Sequence, residues 1–236
     1  VNIGRYEDGE ARFEDLLDQM LDVPGDFRVR ISSLEPDGFG DRFVDLFKHP
    51  KLMPHLHLCL QSGSEKTLLR MRRMYDVAQF RKTVNLFRSV YPDFNFTTDI
   101  IVGFPGETTE EFQETIDAVK EFNFSHVHTF KYSVRKGTRA ERLENHIPEK
   151  IKTERSAQIR ELSEENKKQY LTSFIGKTQQ VLVEKITQGI ANGYGQHYVP
   201  VRFKAAGVQK NTVHTIQLTE IRGVGENMYL FGELND

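Results

Sequence analysis

The sequence predicts an α/β part built on parallel strands, followed by a small all-β barrel. Three observations carry this. Strand-like and helix-like runs alternate through residues 1 to about 146, a charged helical stretch follows, and residues 177–236 break into short β-branched and aromatic runs separated by glycines. Strand–helix alternation implies parallel strands with helices outside. Short strands punctuated by turn residues imply a small closed β-barrel. The two parts are expected to divide at 1–175 and 176–236.

Taken in order, Val1-Asn2-Ile3-Gly4 reads as a strand end, and Phe13, Leu16, Leu17, Met20 and Leu21 mark an amphipathic helix. Arg28 to Glu35 reads as a strand, followed by a short helix with Phe43, Leu46 and Phe47. His55 to Gln61 is the next strand, and an interrupted helical region runs from Ser64 to Val90. Phe96 to Gly103 is a strand, Phe112, Ile116, Val119 and Phe122 follow helical spacing, and His126 to Ser133 is the last strand of this part. The charged helix from Pro148 to about Ile175 has a thin apolar face (Ile151, Ile159, Leu162, Tyr170, Phe174), with Gly176 as its stop. Beyond it, Val181-Leu182-Val183, Tyr198-Val199-Pro200-Val201, Val213-His214-Thr215-Ile216 and Met228-Tyr229-Leu230-Phe231 read as strands.

A complete eight-unit parallel barrel typically needs about 250 residues. Four strands and one stub stand before residue 146, and the stub has no strand or helix ahead of it. The expectation is a partial TIM-like (β/α) barrel whose beginning lies outside this chain.

Of 236 residues, 38% are hydrophobic and 28% charged, which suits a globular chain. No run approaches transmembrane length and no signal-peptide pattern opens the chain, so no membrane partner is expected. The net charge of −2 excludes a wholly basic nucleic-acid glove and leaves any RNA contact to local patches. The single cysteine, Cys59, excludes an internal disulfide framework and a multi-cysteine metal cluster made by these residues alone. It points to a cytosolic protein.

The richest segment is Thr97-Thr98-Asp99-Ile100-Ile101-Val102-Gly103-Phe104-Pro105-Gly106-Glu107-Thr108. A β-branched run ends abruptly in a Gly/Pro turn, and Thr108 stands three residues before Glu111, the spacing of a capping box. Free N–H groups at such a helix start hold polar ligand atoms. Gln61-Ser62-Gly63-Ser64-Glu65 repeats the pattern, with Ser62 and Glu65 at capping-box spacing. In a parallel barrel the strand C-terminal ends gather at one mouth, where the active site lies. Glu35, Gln61, Ser62, Asp99 and Ser133 are therefore expected to line one opening.

His55-Leu56-His57-Leu58-Cys59-Leu60-Gln61 alternates, with the leucines on one face and His55, His57, Cys59 and Gln61 on the other. His126 and His128 form a second His-x-His pair. Such pairs can converge on one metal ion in barrel hydrolases. No third ligand group is obvious, so the favoured reading has the histidines filling a polar interior and hydrogen-bonding one another, with no metal bound. Arg70-Met71-Arg72-Arg73 and Arg135-Lys136-Gly137-Thr138-Arg139 are basic clusters that suit phosphates or plain solvated surface. The terminal part carries six basic against five acidic residues, and Tyr194, Tyr198, Phe203 and Tyr229 are aromatics able to stack on bases.

Four ordered segments resemble one family. They are His55–Ser64, Met71-Arg72-Arg73-Met74-Tyr75, Thr98–Thr108, and Phe130-Lys131-Tyr132-Ser133-Val134-Arg135-Lys136-Gly137-Thr138. All four are similar to the radical S-adenosylmethionine methylthiotransferases, and the terminal part resembles that family's TRAM domain. The resemblance implies a partial barrel that binds S-adenosylmethionine and two 4Fe–4S clusters, and insertion of a methylthio group at an unactivated C–H bond. One cluster would cleave S-adenosylmethionine to a 5′-deoxyadenosyl radical, and the other would be associated with sulfur delivery. Cluster ligands are thiolates. The family's Cys-x-x-x-Cys-x-x-Cys motif and its N-terminal cluster domain are absent from this chain. The expectation is a fragment of a longer enzyme, inactive alone, with no catalytic residue and no metal ligand of its own.

Two substrate classes occur in the family: an adenosine next to the tRNA anticodon, and a ribosomal-protein aspartate. Gln61–Ser64 and Thr98–Gly103 look more like the tRNA branch. Phe124-Ser125-His126-Val127-His128-Thr129-Phe130 leans towards enzymes acting on N6-threonylcarbamoyladenosine rather than isopentenyladenosine. Asp76 departs from the threonine that the resemblance leads one to expect. Carried over, the resemblance places Glu35, Gln61, Ser62 and Asp99 on S-adenosylmethionine, the Gly103–Glu107 turn near its adenine, and Tyr132 and Ser133 around it. Arg72, Arg73, Arg135 and Lys136, with Lys185, Arg202 and Lys204 of the terminal part, are expected on the tRNA anticodon arm. Two other readings stand beside this one: a metal hydrolase using His55, His57, His126 and His128, and a non-catalytic RNA-binding module. Neither the sulfur donor nor the oligomeric state follows from the sequence.

Overall fold

A computed structural model describes residues 4, 6–40 and 42–235. The strand end expected at Val1–Ile3 lies outside the described residues. A two-residue hairpin, β1 (Glu7–Asp8) and β2 (Ala11–Arg12), opens the fold and leads into α1 (Phe13–Asp22). Then follow β3 (Val29–Leu34), α2 (Arg42–Leu46), β4 (Leu52–Leu58), α3 (Glu65–Arg70), α4 (Val77–Val90), β5 (Asn95–Val102), α5 (Thr109–Phe122) and β6 (His126–Lys131). Strands β3-β4-β5-β6 lie in that order, all parallel, in one four-stranded sheet.

The alternation of β4 sorts its side chains as the sequence implies. Leu56, Leu58 and Leu60 are fully buried beneath the helices. They join a phenylalanine cluster in which Phe43, Phe47, Phe87, Phe94 and Phe96 pack ring against ring, mostly edge-on. Each such side chain contributes roughly 1.5–3 kcal/mol by leaving water. β4 begins three residues earlier than the sequence suggests. Pro54 has no N–H, but it precedes the pairing with β5, which starts at His55 opposite Asn95.

Helix starts follow local chemistry. Thr108 and Glu111 form the expected capping box, each backbone N–H donating to the other's side chain at 3.2 Å. Asp76 caps α4 by accepting from the Gln79 N–H at 2.7 Å. The departure from threonine therefore keeps the capping function, since both residues cap well. The Ser62–Glu65 capping box does not form. Ser64 is the N-cap of α3 and makes no side-chain cap, while Glu65 Oε1 accepts from the Val77 N–H, 2.9 Å away.

Helix α6 (Glu149–Thr172) runs against α5, β5 and β6 and is slightly shorter than expected. Gly176 follows in the left-handed region (φ 81°), and its N–H donates to Leu218 O. Five strands then close a barrel in the order β10-β11-β9-β8-β7. They are β7 (Thr178–Thr187), β8 (Ile190–Tyr194), β9 (Pro200–Lys204), β10 (Val213–Arg222) and β11 (Tyr229–Leu234). All pairs are antiparallel except β9–β11. Ala191, Val201, Phe203, Ile216 and Leu230 form a second core inside it. Strand β8 has no apolar run to announce it: Gly193 is needed there because a Cβ would lie 1.9 Å from Leu182 O.

The barrel sits against the N-terminal ends of the sheet strands. Asn95 Nδ2 donates to His197 O (2.7 Å), Arg28 Nη1 to Gln180 O (3.1 Å), and Lys177 Nζ pairs with Asp93 at 2.8 Å. Tyr198 reaches back into the sheet, its ring 4.7 Å from that of His55, with the Arg30 guanidinium 3.9 Å above it.

Candidate functional site

The sheet face opposite the helices is polar. His55 and His57 do not bond each other, as the sequence reading had it. Both meet Thr97 Oγ1 on β5, from His55 Nε2 at 3.0 Å and from His57 Nδ1 at 2.9 Å. The other nitrogen of His57, Nε2, lies 3.2 Å from Asp99 Oδ1. Cys59 Sγ is 3.9 Å from the second Asp99 oxygen and 3.8 Å from Ser33 Oγ on β3. His128 on β6 brings its ring within 5.5 Å of His57 and 4.4 Å of His126. Residues of four adjacent strands thus form one polar cluster around His57, Cys59 and Asp99, and Cys59 has neighbours that the sequence did not suggest.

The charges follow from this packing. Burial alone pulls the His57 imidazole down, but the Asp99 carboxylate and Cys59 beside it raise it to about 9. Burial raises Asp99, and the His57 contact outweighs that and holds it below its ordinary value. His126 is pushed down to about 4 by burial and then by His128. Burial also lowers His55, followed by the nearby Arg30 and His57 charges. The centre of the face therefore carries an ion pair flanked by neutral imidazoles.

A cavity of about 1250 Å³ opens from this face towards the closed barrel. Thr97, Asp99, His57 and His128 line one side; Lys185, Arg202, Tyr194, Tyr198 and Tyr229 line the other. Arg202 lies 4.0 Å over the Tyr229 ring, and Tyr194 stacks on Tyr198 with ring centroids 4.6 Å apart. Lys204 is exposed on β9.

The turn after β5 is held from behind. Gly103 adopts φ 73°, and its N–H donates to Glu107 Oε1 at 3.0 Å. Glu107 is 3% exposed and ion-pairs with Arg155 of α6, whose Nη1 also donates to Glu107 O. Glu107 thus builds the turn, with its side chain pointing into the protein. Tyr132 packs edge-on against Phe104, Lys152 Nζ donates to Tyr132 O, and the buried Tyr132 hydroxyl has no partner.

The other expected site residues separate into two groups. Glu35 ends β3 and pairs with Arg73 Nη1 at 2.6 Å, so that arginine is already engaged. Gln61 sits in the left-handed region (φ 65°) and bridges to β5 through its backbone, donating to Asp99 O and accepting from the Ile101 N–H. Ser62 does not line an opening: it is 1% exposed and faces α5, where its hydroxyl meets Thr115 Oγ1 at 3.2 Å. The tight approach of Gly63 to α5 turns it that way. Ser133, Arg135 and Lys136 are exposed beyond β6, and Arg72 is exposed in a left-handed turn (φ 58°). Sequence reasoning missed Thr97, Arg30 and Arg155. Thr97 was within reach, because it alternates in phase with Asp99 on β5.

Comparison with known proteins identifies the class. Residues 5–119 match the radical SAM superfamily model, and the chain belongs to that superfamily. It is 40% identical over 228 residues to the threonylcarbamoyladenosine tRNA methylthiotransferase MtaB of Thermotoga maritima, a match covering 95% of this chain and 52% of that protein. The Chlamydia pneumoniae protein of the same name is 36% identical over 99% of this chain and 55% of its own length. A tRNA-2-methylthio-N(6)-dimethylallyladenosine synthase of Paraburkholderia xenovorans is 37% identical over 74% of this chain and 38% of its own. Within the superfamily the chain is a member of the methylthiotransferase family. It spans about half the length of the curated relatives it matches first.

The superfamily implies S-adenosylmethionine and a 4Fe–4S cluster. The cluster does not fit these residues: a cubane is held by several thiolates, and Cys59 is the one cysteine in 236 residues. S-adenosylmethionine does fit. The cavity is larger than the roughly 300–1,000 Å³ of ordinary ligand pockets, and Asp99 offers a carboxylate at its wall. No helix among the described residues is long and apolar enough to cross a membrane.

Proposed function

We propose that this chain is the cofactor-binding and RNA-contacting half of a tRNA methylthiotransferase. Its substrate is the modified adenosine next to the anticodon, N6-threonylcarbamoyladenosine, and it adds a methylthio group at C2. The observation that carries this is the match to threonylcarbamoyladenosine enzymes along almost the whole chain, at 40% and 36% identity. Dimethylallyladenosine synthases match at 37% identity over 74% of this chain and at 32% over 97% of it, so the preference rests on the higher identity of the threonylcarbamoyladenosine enzymes at near-full coverage.

In this reading the sheet is part of a radical SAM barrel (residues 1–175), and the five-stranded barrel (residues 176–236) is a TRAM domain that grips the anticodon arm. Asp99 accepts hydrogen bonds from hydroxyl or ammonium groups of S-adenosylmethionine, with Gln61 and Glu35 above it at the strand ends. The Gly103–Glu107 turn offers backbone to the adenine, and Tyr132 and Ser133 close over it. Arg72, Arg135, Lys136, Lys185, Arg202 and Lys204 contact phosphates, joined by Arg73 if it leaves Glu35. When bound, S-adenosylmethionine supplies the radical and methyl chemistry, together with two 4Fe–4S clusters held by the rest of the enzyme. Reaching a stacked base requires unstacking it.

Equilibrium dialysis tests the cofactor reading: this chain should bind S-adenosylmethionine, and Asp99→Ala should lose that binding. Reconstitution with iron and sulfide should give no stoichiometric cluster absorption. Replacing the matching half of the Thermotoga relative with this chain tests the substrate. Nucleoside mass spectrometry should then find the methylthio group on N6-threonylcarbamoyladenosine. Its appearance on dimethylallyladenosine instead would refute the assignment.

A further inference from the structure

We propose that His57, Cys59 and Asp99 form a binding site for a divalent transition metal of the zinc class. Their candidate ligand atoms all lie within 4.8 Å of one another. Tetrahedral zinc, with bonds of about 2.0–2.3 Å, sets nitrogen and oxygen ligands about 3.3 Å apart and sulfur and oxygen about 3.6 Å apart. The observed separations, 3.2 Å from His57 Nε2 to Asp99 Oδ1 and 3.9 Å from Cys59 Sγ to Asp99 Oδ2, run to different carboxylate oxygens, so a turn of the Asp99 carboxylate is needed to present one oxygen to an ion held by both. Without an ion the same three groups form a His57–Asp99 ion pair and a Cys59 S–H donating to Asp99 Oδ2; only the metal-bound form would carry a thiolate-to-metal band.

The surroundings support the same conclusion. A metal-binding histidine usually donates its other ring N–H to an outer partner, which fixes its tautomer and aim. Thr97 Oγ1 occupies His57 Nδ1 at 2.9 Å and leaves Nε2 facing the carboxylate. One imidazole, one thiolate and one carboxylate make the nitrogen, sulfur and oxygen set that zinc accepts. The fourth position falls to His128, whose ring is 5.5 Å from that of His57, or to water from the adjoining cavity. A bound ion would tie β4 to β5 through side chains. The site does not depend on the proposed function, although both draw on Asp99, so zinc and S-adenosylmethionine would compete.

Cobalt(II) serves as the probe, added anaerobically to the reduced, metal-free chain. One equivalent should produce the visible ligand-field bands of a tetrahedral ion and a near-ultraviolet thiolate-to-cobalt band, and one equivalent of zinc should abolish both. Cys59→Ser should remove the thiolate band. Thr97→Val, which removes the outer hydrogen bond of His57 together with that of His55, should weaken metal affinity by about 10–100-fold. Near-ultraviolet circular dichroism checks that each variant folds, and native mass spectrometry of the unaltered chain should find one zinc without any variant. No stoichiometric metal in either measurement, or a thiolate band that survives Cys59→Ser, would overturn the site. Neither readout involves S-adenosylmethionine, so failure here leaves the functional assignment standing, and the converse holds.

Discussion

Two turns of this molecule read alike in sequence and are built differently. Thr108 and Glu111 after β5, and Ser62 and Glu65 after β4, share the spacing of a capping box. Only the first pair forms it. At the second, Gly63 is pressed against α5: a Cβ there would lie 2.6 Å from Thr115 Cα. That approach draws the Ser62 hydroxyl to Thr115, and Glu65 turns to the start of α4. The first box forms although Glu111 is buried against Thr67 and Arg70. At the second the close backbone approach of Gly63 decides, and the same residue types take other partners.

The largest expected effect breaks the brace behind the first turn. Arg155→Ala leaves the Glu107 carboxylate buried and unpaired, which should destabilise the fold by about 3–5 kcal/mol in urea denaturation. Gly63→Ala ranks next: it forces two backbones apart, and overpacking of this kind costs about 1–3 kcal/mol. Gly103→Ala should fall in the same range. Its left-handed angle strains alanine by about 1–2 kcal/mol, and the added Cβ would lie 2.4 Å from Cγ of the buried Lys152, whose Nζ is held by Tyr132 O. Thr108→Ala should cost about 1 kcal/mol through the lost cap, whereas Glu65→Ala should leave the Ser64–Ser62 contact intact and lower protection of the Val77 amide from hydrogen exchange.

The smallest effect separates two carboxylates of one turn by pH. Burial raises Glu107 above its ordinary value of 4.5, despite the Gly103 N–H and Arg155. Burial also acts on Glu111, but its pairing with Arg70 wins and lowers it. The signs are therefore opposite. Glu111 contributes stability that is complete above 4.5 and is lost as pH falls through its folded value. Glu107 costs stability as pH climbs above 4.5, until it ionises in the folded chain. Carboxyl carbon NMR titration should find Glu107 above and Glu111 below the ordinary value.

The sequence foretold most elements because their signals are local. The Leu56, Leu58, Leu60 alternation places β4, Thr108 starts α5, and Gly176 stops α6. The polar face was half legible: His55, His57 and Asp99 could be assigned to it, but which atoms meet depends on the register that sets His57 opposite Thr97. The Arg155–Glu107 pair spans 48 residues and has no sequence signal. Strand β8 went unread because Ile190-Ala191-Asn192-Gly193-Tyr194 carries glycine where another strand needs room. Ser62 was misplaced for a related reason, since a capping pattern does not reveal the helix that will crowd it.

The parallel closure of β9 against β11 has a consequence for how the chain is made. Parallel partners need a long connection, and here β10 intervenes in the chain before Val201 can meet Leu230, then pairs with the other edge of β11. The sheet strands β3 to β6 are all available once Lys131 has emerged from the ribosome. Domains generally fold as units during synthesis, N-terminal first. The terminal barrel, by contrast, stays open along its last seam until β11, which ends at Leu234, is available, so it closes after the sheet strands are complete.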